Sequence, residues 1–149
     1  KQIEIDLAPE YNIRLKEMIN VVKKYELLSK EHNGDYMKKE IMEDRFNNNL
    51  DSLNIAPEIG VFETKKILEL LNEEDFNKMY KICLDSKKWV KWVSKDFKPE
   101  ENKKKLVEIC GHYVFSYPKF LELKIKINSV DEIIKDTLYI YLTNKYNLK

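Results

Sequence analysis

The sequence predicts a mainly α-helical fold: a single helical domain of five to six helices over residues 1–149, with a small two-stranded β element. Three glycines and four prolines in 149 residues are too few for the many tight turns of a sandwich or barrel. Leu, Ile, Lys and Glu are abundant, which favours helices. Two short segments, near residues 2–7 and 121–127, alternate between apolar and charged side chains and predict the two strands.

The N-terminal third of the chain is predicted to contain one strand and two helices. Residues 2–7 alternate between aliphatic and acidic side chains, as in a half-buried strand, until Pro9 interrupts the pattern. Apolar residues at three- and four-residue spacing predict a helix over residues 10–30. A looser apolar stripe predicts another helix over residues 36–53, followed by a loop at 54–60.

Two helices are predicted in the middle of the chain. The first is short, over residues 62–71. The second follows Asn72, a residue typical of an N-cap, because the three acidic residues after it complement the helix dipole. Its apolar spacing continues to about Lys95, although Asp85–Ser86 is a point of interruption, so we expect both tryptophans on one helix.

The C-terminal third is predicted to hold a helix, the second strand and a last helix. Pro99 at a first helical position predicts a helix that runs to about Tyr117. Residues 121–127 show the clearest two-residue alternation in the chain, and their lysines complement the acidic residues of 2–7, so we expect the two strands to pair. A capping box at Ser129–Glu132 begins the last amphipathic helix.

The sequence also bears on where the chain resides. No apolar run approaches the about 18 residues of a membrane span, so we expect none. The chain begins at Lys1 rather than Met, from which we expect a fragment or a processed form of a longer chain. Cys83 and Cys110 fall at apolar helix positions; two unpaired cysteines favour the cytoplasm or another reducing compartment, with secretion and a Cys83–Cys110 disulfide left open. Abundant Asn, Ile, Lys and Tyr with only two alanines are typical of an AT-rich genome.

No segment of the chain matches the motif of a catalytic, cofactor or metal site. The three glycines are isolated, so no phosphate-binding loop is present, and the two histidines and two cysteines lack the paired spacing of zinc ligands. The acidic clusters fall on predicted helix surfaces or first turns. We therefore predict that the protein is not an enzyme and uses no cofactor or metal; a dispersed site around Cys110, His112 and Tyr113 is the remaining route to catalysis.

The most informative segment is residues 83–97, which contains both tryptophans interleaved with lysines. From Asp85 to Lys105, eight lysines stand against four acidic residues, a net charge of +4. The simplest interpretation packs the aromatic and valine side chains in the core, with lysines extending around them. We expect Trp89 and Val93 in the core and Trp92 at the surface. The residues predicted to bind a partner are Trp92, Lys88, Lys91, Lys95, Lys103, Lys104 and Lys105.

These observations predict a non-enzymatic protein–protein interaction module, an adaptor, regulatory or effector domain, whose partner is another protein. The alternative is a nucleic-acid-binding accessory domain that uses the Lys/Trp stretch 87–105. In that case the aromatic rings stack on bases and the lysines meet phosphates. The sequence makes no prediction of oligomeric state.

Overall fold

The structure, a computed structural model, describes residues 9–32, 34–127 and 130–146. Within these ranges it contains seven α-helices, two short 3-10 helices and one pair of two-residue strands. The predicted mainly helical fold with a small β element is therefore confirmed. Across the same ranges, every helix falls short of the length and hydropathy that a bilayer span needs.

The elements are named in chain order. The helices are α1 (Pro9–Lys24), α2 (Lys39–Asn47), α3 (Pro57–Leu70), α4 (Glu73–Ser86), α5 (Lys103–Cys110), α6 (Pro118–Ile125) and α7 (Val130–Tyr146). The strands are β1 (Lys30–Glu31) and β2 (Ser52–Leu53), and the 3-10 helices span Val90–Trp92 and Gly111–Tyr113.

The backbone divides into two compact units, Lys1–Glu58 and Ile59–Lys149. The single domain over residues 1–149 stays a prediction. The N-terminal unit carries the β-sheet, and the C-terminal unit carries the Lys/Trp stretch.

The N-terminal unit is organised around the parallel pair of β1 and β2. Lys30 lies opposite Ser52 and Glu31 opposite Leu53, and α2 forms the crossover between the strands. Arg45 of α2 is 1% exposed, and its Nε lies 3.1 Å from Oε2 of Glu31. Because a buried charge needs a partner, this ion pair fixes α2 against β1.

Asp51, directly before β2, ties the end of α1 to the start of β1. Its carboxylate accepts hydrogen bonds from the Ser29 amide and hydroxyl, both at 2.7 Å, and from the Lys23 ammonium at 2.5 Å. The bond from Lys23, followed by those from Ser29, lowers the pKa of Asp51 to about 2.

The C-terminal unit has a core to which each of its helices contributes. α4 packs against both α5 and α6. The side-chain oxygen of Asn72 accepts a hydrogen bond from the Asp75 amide at 2.9 Å, so the predicted N-cap of α4 is confirmed. The buried core side chains are Ile67, Met79, Tyr80, Cys83, Leu106, Val107, Cys110, Val114, Phe120, Leu123, Val130 and Ile134.

The predicted strand near residues 121–127 is wrong, because the chain there forms α6. Pro118 occupies the first turn of this helix, and Phe120 and Leu123, three residues apart, are buried on one helical face. Ile125, which the strand pattern would bury, is 82% exposed. With this helix, residues 9–32, 34–127 and 130–146 contain seven helices, more than the five to six predicted.

The other predicted strand, near residues 2–7, lies outside the described residues. The sheet that the structure does show joins residues 30–31 to residues 52–53. Both of these segments fall within or beside predicted helices. Strands of two residues are too short to show a two-residue period. A search for alternating apolar and polar residues therefore cannot detect β1 or β2.

Candidate partner-binding surface

The Lys/Trp stretch begins where α4 ends. The Ser86 hydroxyl donates to the carbonyl of Cys83 at 2.6 Å and accepts from the amide of Lys88 at 3.2 Å, so one side chain satisfies a carbonyl of the last turn and an amide just beyond it. Lys87 then takes a left-handed conformation with φ 54°. The helix predicted to reach about Lys95 therefore stops at Ser86. Both tryptophans lie in a turn and a short 3-10 helix instead of on one α-helical flank.

Trp89 is half-buried and packs against the core of the C-terminal unit. Its indole N–H donates to the carbonyl of Leu84 at 3.3 Å, and its ring centroid lies 5.8 Å from that of Phe97. Trp89 is the more buried of the two tryptophans, as predicted, but its predicted full burial in the core is wrong, because it is only half-buried. Val93 is half-buried, so its predicted full burial is wrong, because the turn replaces the helical face that would have covered it.

Trp92 is the exposed aromatic side chain of the stretch, with 53% of its surface accessible. The ammonium of Lys91 lies 4.8 Å from the Trp92 ring centroid and 5.2 Å from the ring centroid of Tyr113, the last residue of the second 3-10 helix. Both distances fit cation–π contacts. Trp92 is thus a large apolar side chain whose position is tied to the rest of the unit through Lys91 and Tyr113.

The lysines divide into two groups. Lys88, Lys91 and Lys95, which flank Trp92 in the sequence, are exposed. Lys103–Lys105 are exposed in the first turn of α5. The ammonium of Lys103 lies 5.3 Å from the Tyr80 ring centroid. The structure therefore joins Lys91 to Trp92 in one cation–π contact and Lys103 to Tyr80 in a separate one. Within the described residues, the exposed ammonium groups of Lys88, Lys95, Lys104 and Lys105 form no ion pair and no ring contact.

Charge neutralisation within the stretch is incomplete. In the described part of the chain, Lys98 forms an ion pair with Glu101 at 2.9 Å. By contrast, none of the predicted partner-binding lysines is paired with a carboxylate within the described residues. Lys103–Lys105 also lie at the positive end of the α5 dipole, where cations are disfavoured. α5 begins at Lys103 and not at Pro99, so the acidic residues at 100–101 precede the helix and do not cap its first turn.

Two aromatic residues of this region were not predicted. Neither Tyr113 nor Tyr80 was among the predicted partner-binding residues, yet each has a lysine ammonium over its ring. Burial, with Glu100 nearby, raises the pKa of Tyr80. Contacts between residues more than twenty positions apart leave no local signal in a single sequence, so these partners are visible only in the fold.

The N-terminal unit contains a separate cavity of about 460 Å³ between α1 and β1. Its walls are mainly aliphatic, and two of its polar residues are already engaged: Ser29 bonds to Asp51 and Glu31 to Arg45. Arg14, Lys30 and His32 also line this cavity. The Lys/Trp stretch differs in that an exposed aromatic ring lies among lysines that form no ion pair within the described residues, so we take it as the better candidate for binding a partner.

In the described ranges, no group of three or more histidine, cysteine, aspartate or glutamate side chains is placed to hold a metal ion. The chain matches no protein-family model, no curated protein and no solved structure.

Proposed function

We propose that the protein is a non-enzymatic interaction module that binds an acidic segment of another protein through Trp92 and the lysines that flank it. The observation that carries the proposal is Trp92, which is half exposed and positioned by Lys91 and Tyr113. Large aromatic side chains that are both exposed and held in place are the typical anchors of protein interfaces.

The acidic character of the partner follows from charge complementarity. Lys88, Lys91 and Lys95 have no carboxylate partner within the described residues, and the stretch from Asp85 to Lys105 carries a net charge of +4. The whole chain has a net charge of only +1, so this positive charge is local. Local charge of one sign steers and orients an oppositely charged partner. The partner is therefore an acidic segment that also offers an apolar side chain to Trp92.

A nucleic-acid partner is supported less well. Sequence-tolerant binding of single strands uses several exposed rings in succession. In this stretch, Trp89 is half-buried and bonded to Leu84, and Lys91 lies over the ring of Trp92. One exposed ring suits a single apolar anchor better than a row of stacked bases. Nucleic acid stays the alternative outcome of the experiment below.

The experiment measures binding of a matched peptide panel to the intact chain by fluorescence anisotropy. Each labelled peptide carries one Leu or Phe anchor flanked by four Glu, four Gln or four Lys residues, and a labelled oligothymidine represents nucleic acid. We expect the acidic peptides to bind more tightly than the neutral ones and the basic ones not to bind. Tighter binding of oligothymidine than of every peptide, with affinity falling steeply with salt, would replace this proposal with the nucleic-acid alternative.

A pair of variants assigns the binding to the surface. Truncation of a central aromatic anchor costs about 2 kcal/mol or more, which is roughly a 30-fold loss of affinity. We expect that loss for Trp92→Ala, whereas Lys65→Glu, at an exposed position on α3, serves as the control and keeps the affinity within about twofold. Unchanged binding by Trp92→Ala would contradict the proposal.

A further inference from the structure

Two buried thiols meet between α4 and α5. Cys83 lies in the last turn of α4, and Cys110 is the last residue of α5; both are free and fully buried. The Cys110 thiol donates a hydrogen bond to the carbonyl oxygen of Cys83 at 3.9 Å, so the two residues are in direct contact. Two cysteines that are 27 positions apart in the chain are thus neighbours in the core.

The surroundings of the pair make the two sulfurs unequal. The neighbouring Cys83 thiol lowers the pKa of Cys110, against the opposing effect of burial. The proximity of Cys110, together with burial, raises the pKa of Cys83. Cys110 is therefore the sulfur that becomes a thiolate first, and Cys83 is the thiol beside it.

We propose that Cys83 and Cys110 form a reversible intramolecular disulfide when the protein meets a low-molecular-weight disulfide such as oxidised glutathione. The Cys110 thiolate attacks one sulfur of the reagent, forms a mixed disulfide and releases one reduced glutathione. The Cys83 sulfur, on losing its proton, then attacks Cys110 and releases the second. The two protein thiols are oxidised by two electrons, and the reagent is reduced to two thiols.

The location of the pair gives the bond a structural consequence. Cys83 and Cys110 bracket the segment from Leu84 to Ile109, which contains Trp92 and all the lysines of the proposed surface. A disulfide closes this segment into a loop between the ends of two packed helices. The bond lowers the conformational entropy of the unfolded chain. It therefore stabilises the folded C-terminal unit and restrains the segment between the two cysteines. This inference does not depend on what the surface binds.

The experiment incubates the native, full chain in glutathione buffers of increasing oxidised fraction. The products are quenched by acid and measured by intact mass and peptide mapping. Since both thiols are buried, exchange proceeds through local opening and is expected to be slow. We expect a product lighter by two hydrogens, with a Cys83–Cys110 linked peptide, and its full reversal by dithiothreitol.

Two further readouts follow the oxidised protein. We expect the midpoint of thermal unfolding to rise by about 5 °C or more, and amide exchange to slow within residues 84–109 more than in α7. Cys83→Ser and Cys110→Ser serve as controls that lack the rise. The proposal is overturned if the native chain yields only glutathione adducts, only intermolecular dimers, or no oxidation under conditions that fully oxidise the denatured chain. The wild-type peptide map decides this even if a Ser variant fails to fold.

Discussion

Gly111 lies directly against Thr64: a Cβ atom added at Gly111 would sit 2.4 Å from Cγ2 of Thr64. The same two segments also approach closely at Gly60, where an added Cβ would sit 2.7 Å from Cβ of His112. The Thr64 hydroxyl donates to the Gly60 carbonyl at 2.8 Å. Two glycines thus let α3 approach the 3-10 helix that presents Tyr113 to Lys91.

The first prediction concerns this close approach. Gly111→Ala should destabilise the C-terminal unit by about 1–3 kcal/mol, because the added methyl overlaps Thr64 and the backbone of Gly111 gives alanine no conformational penalty of its own. Urea unfolding measures the change. The double variant Gly111→Ala with Thr64→Ser removes the clashing methyl, and we expect it to recover part of the loss. A fully stable Gly111→Ala would contradict the packing.

The second prediction concerns Gly60, which lies inside α3. On an open helix surface, Gly→Ala would stabilise by up to about 1 kcal/mol. Here the contact with His112 should reverse the sign, so Gly60→Ala lowers the free energy of unfolding. Stabilisation by Gly60→Ala, measured in the same urea titration, would show that α3 does not pack on His112.

The third prediction concerns the buried ion pair of the N-terminal unit. Arg45→Met should cost about 3–5 kcal/mol, because it leaves the carboxylate of Glu31 buried without its Arg45 partner. Replacing both residues, as Arg45→Met with Glu31→Leu, should cost less than Arg45→Met alone. Thermal unfolding with circular dichroism tests both variants, and equal losses in the single and double variants would rule out this account of the pair.

The fourth prediction concerns acid stability. The pKa of Asp51 is lowered to about 2 in the folded chain, from an ordinary value of 3.8. Its contribution is therefore fully present above about pH 4 and is lost as the pH falls toward 2. The stability difference between wild type and Asp51→Asn should shrink over that window, as measured by thermal unfolding at several pH values. Lys23→Met removes the largest cause of the lowered pKa. In a Lys23→Met background, the stability difference that Asp51→Asn makes should therefore change less over the same pH window.

The fifth prediction separates the two tryptophans. Trp89 packs on the core and Trp92 is exposed, so acrylamide should quench the fluorescence of Trp89→Phe, which retains Trp92, more strongly than that of Trp92→Phe. Trp89→Ala should cost about 2–3 kcal/mol of stability, less than a fully buried Trp, and Trp92→Ala should cost under about 1 kcal/mol. Equal quenching of the two Phe variants would contradict the assigned positions.

The features that sequence predicted correctly act over one or two helical turns. Asn72 caps α4 through a bond to Asp75, three residues away, and the pattern is visible in the sequence. The errors have a different origin. The strand at residues 121–127 was predicted from two-residue alternation, which did not include Phe120. Phe120 and Leu123 are buried together, and their three-residue spacing is that of one helical face. At the end of α4, the hydrogen bonds of Ser86 stopped a helix that apolar spacing would have continued.

At the candidate surface, too, a local feature was predicted and a long-range contact was not. The exposure of Trp92 was predicted from its flanking lysines, and the structure confirms it. The contact between Lys91 and Tyr113 was not predicted, because it depends on how α5 and the 3-10 helix after it return to the end of α4. Long-range contacts of this kind carry no periodic signal in a single sequence.

The most direct test of the central claim is a charge-swap binding measurement. Lys88→Glu with Lys95→Glu reverses two exposed charges that flank Trp92 in the sequence and leaves Lys91 in its ring contacts. Lys65→Glu with Lys119→Glu makes the same change in net charge at other exposed positions. For the acidic anchored peptide, we predict a loss of affinity of about tenfold or more for the first variant only, with new binding of the basic peptide. Equal affinities of both variants for the acidic peptide would contradict the account.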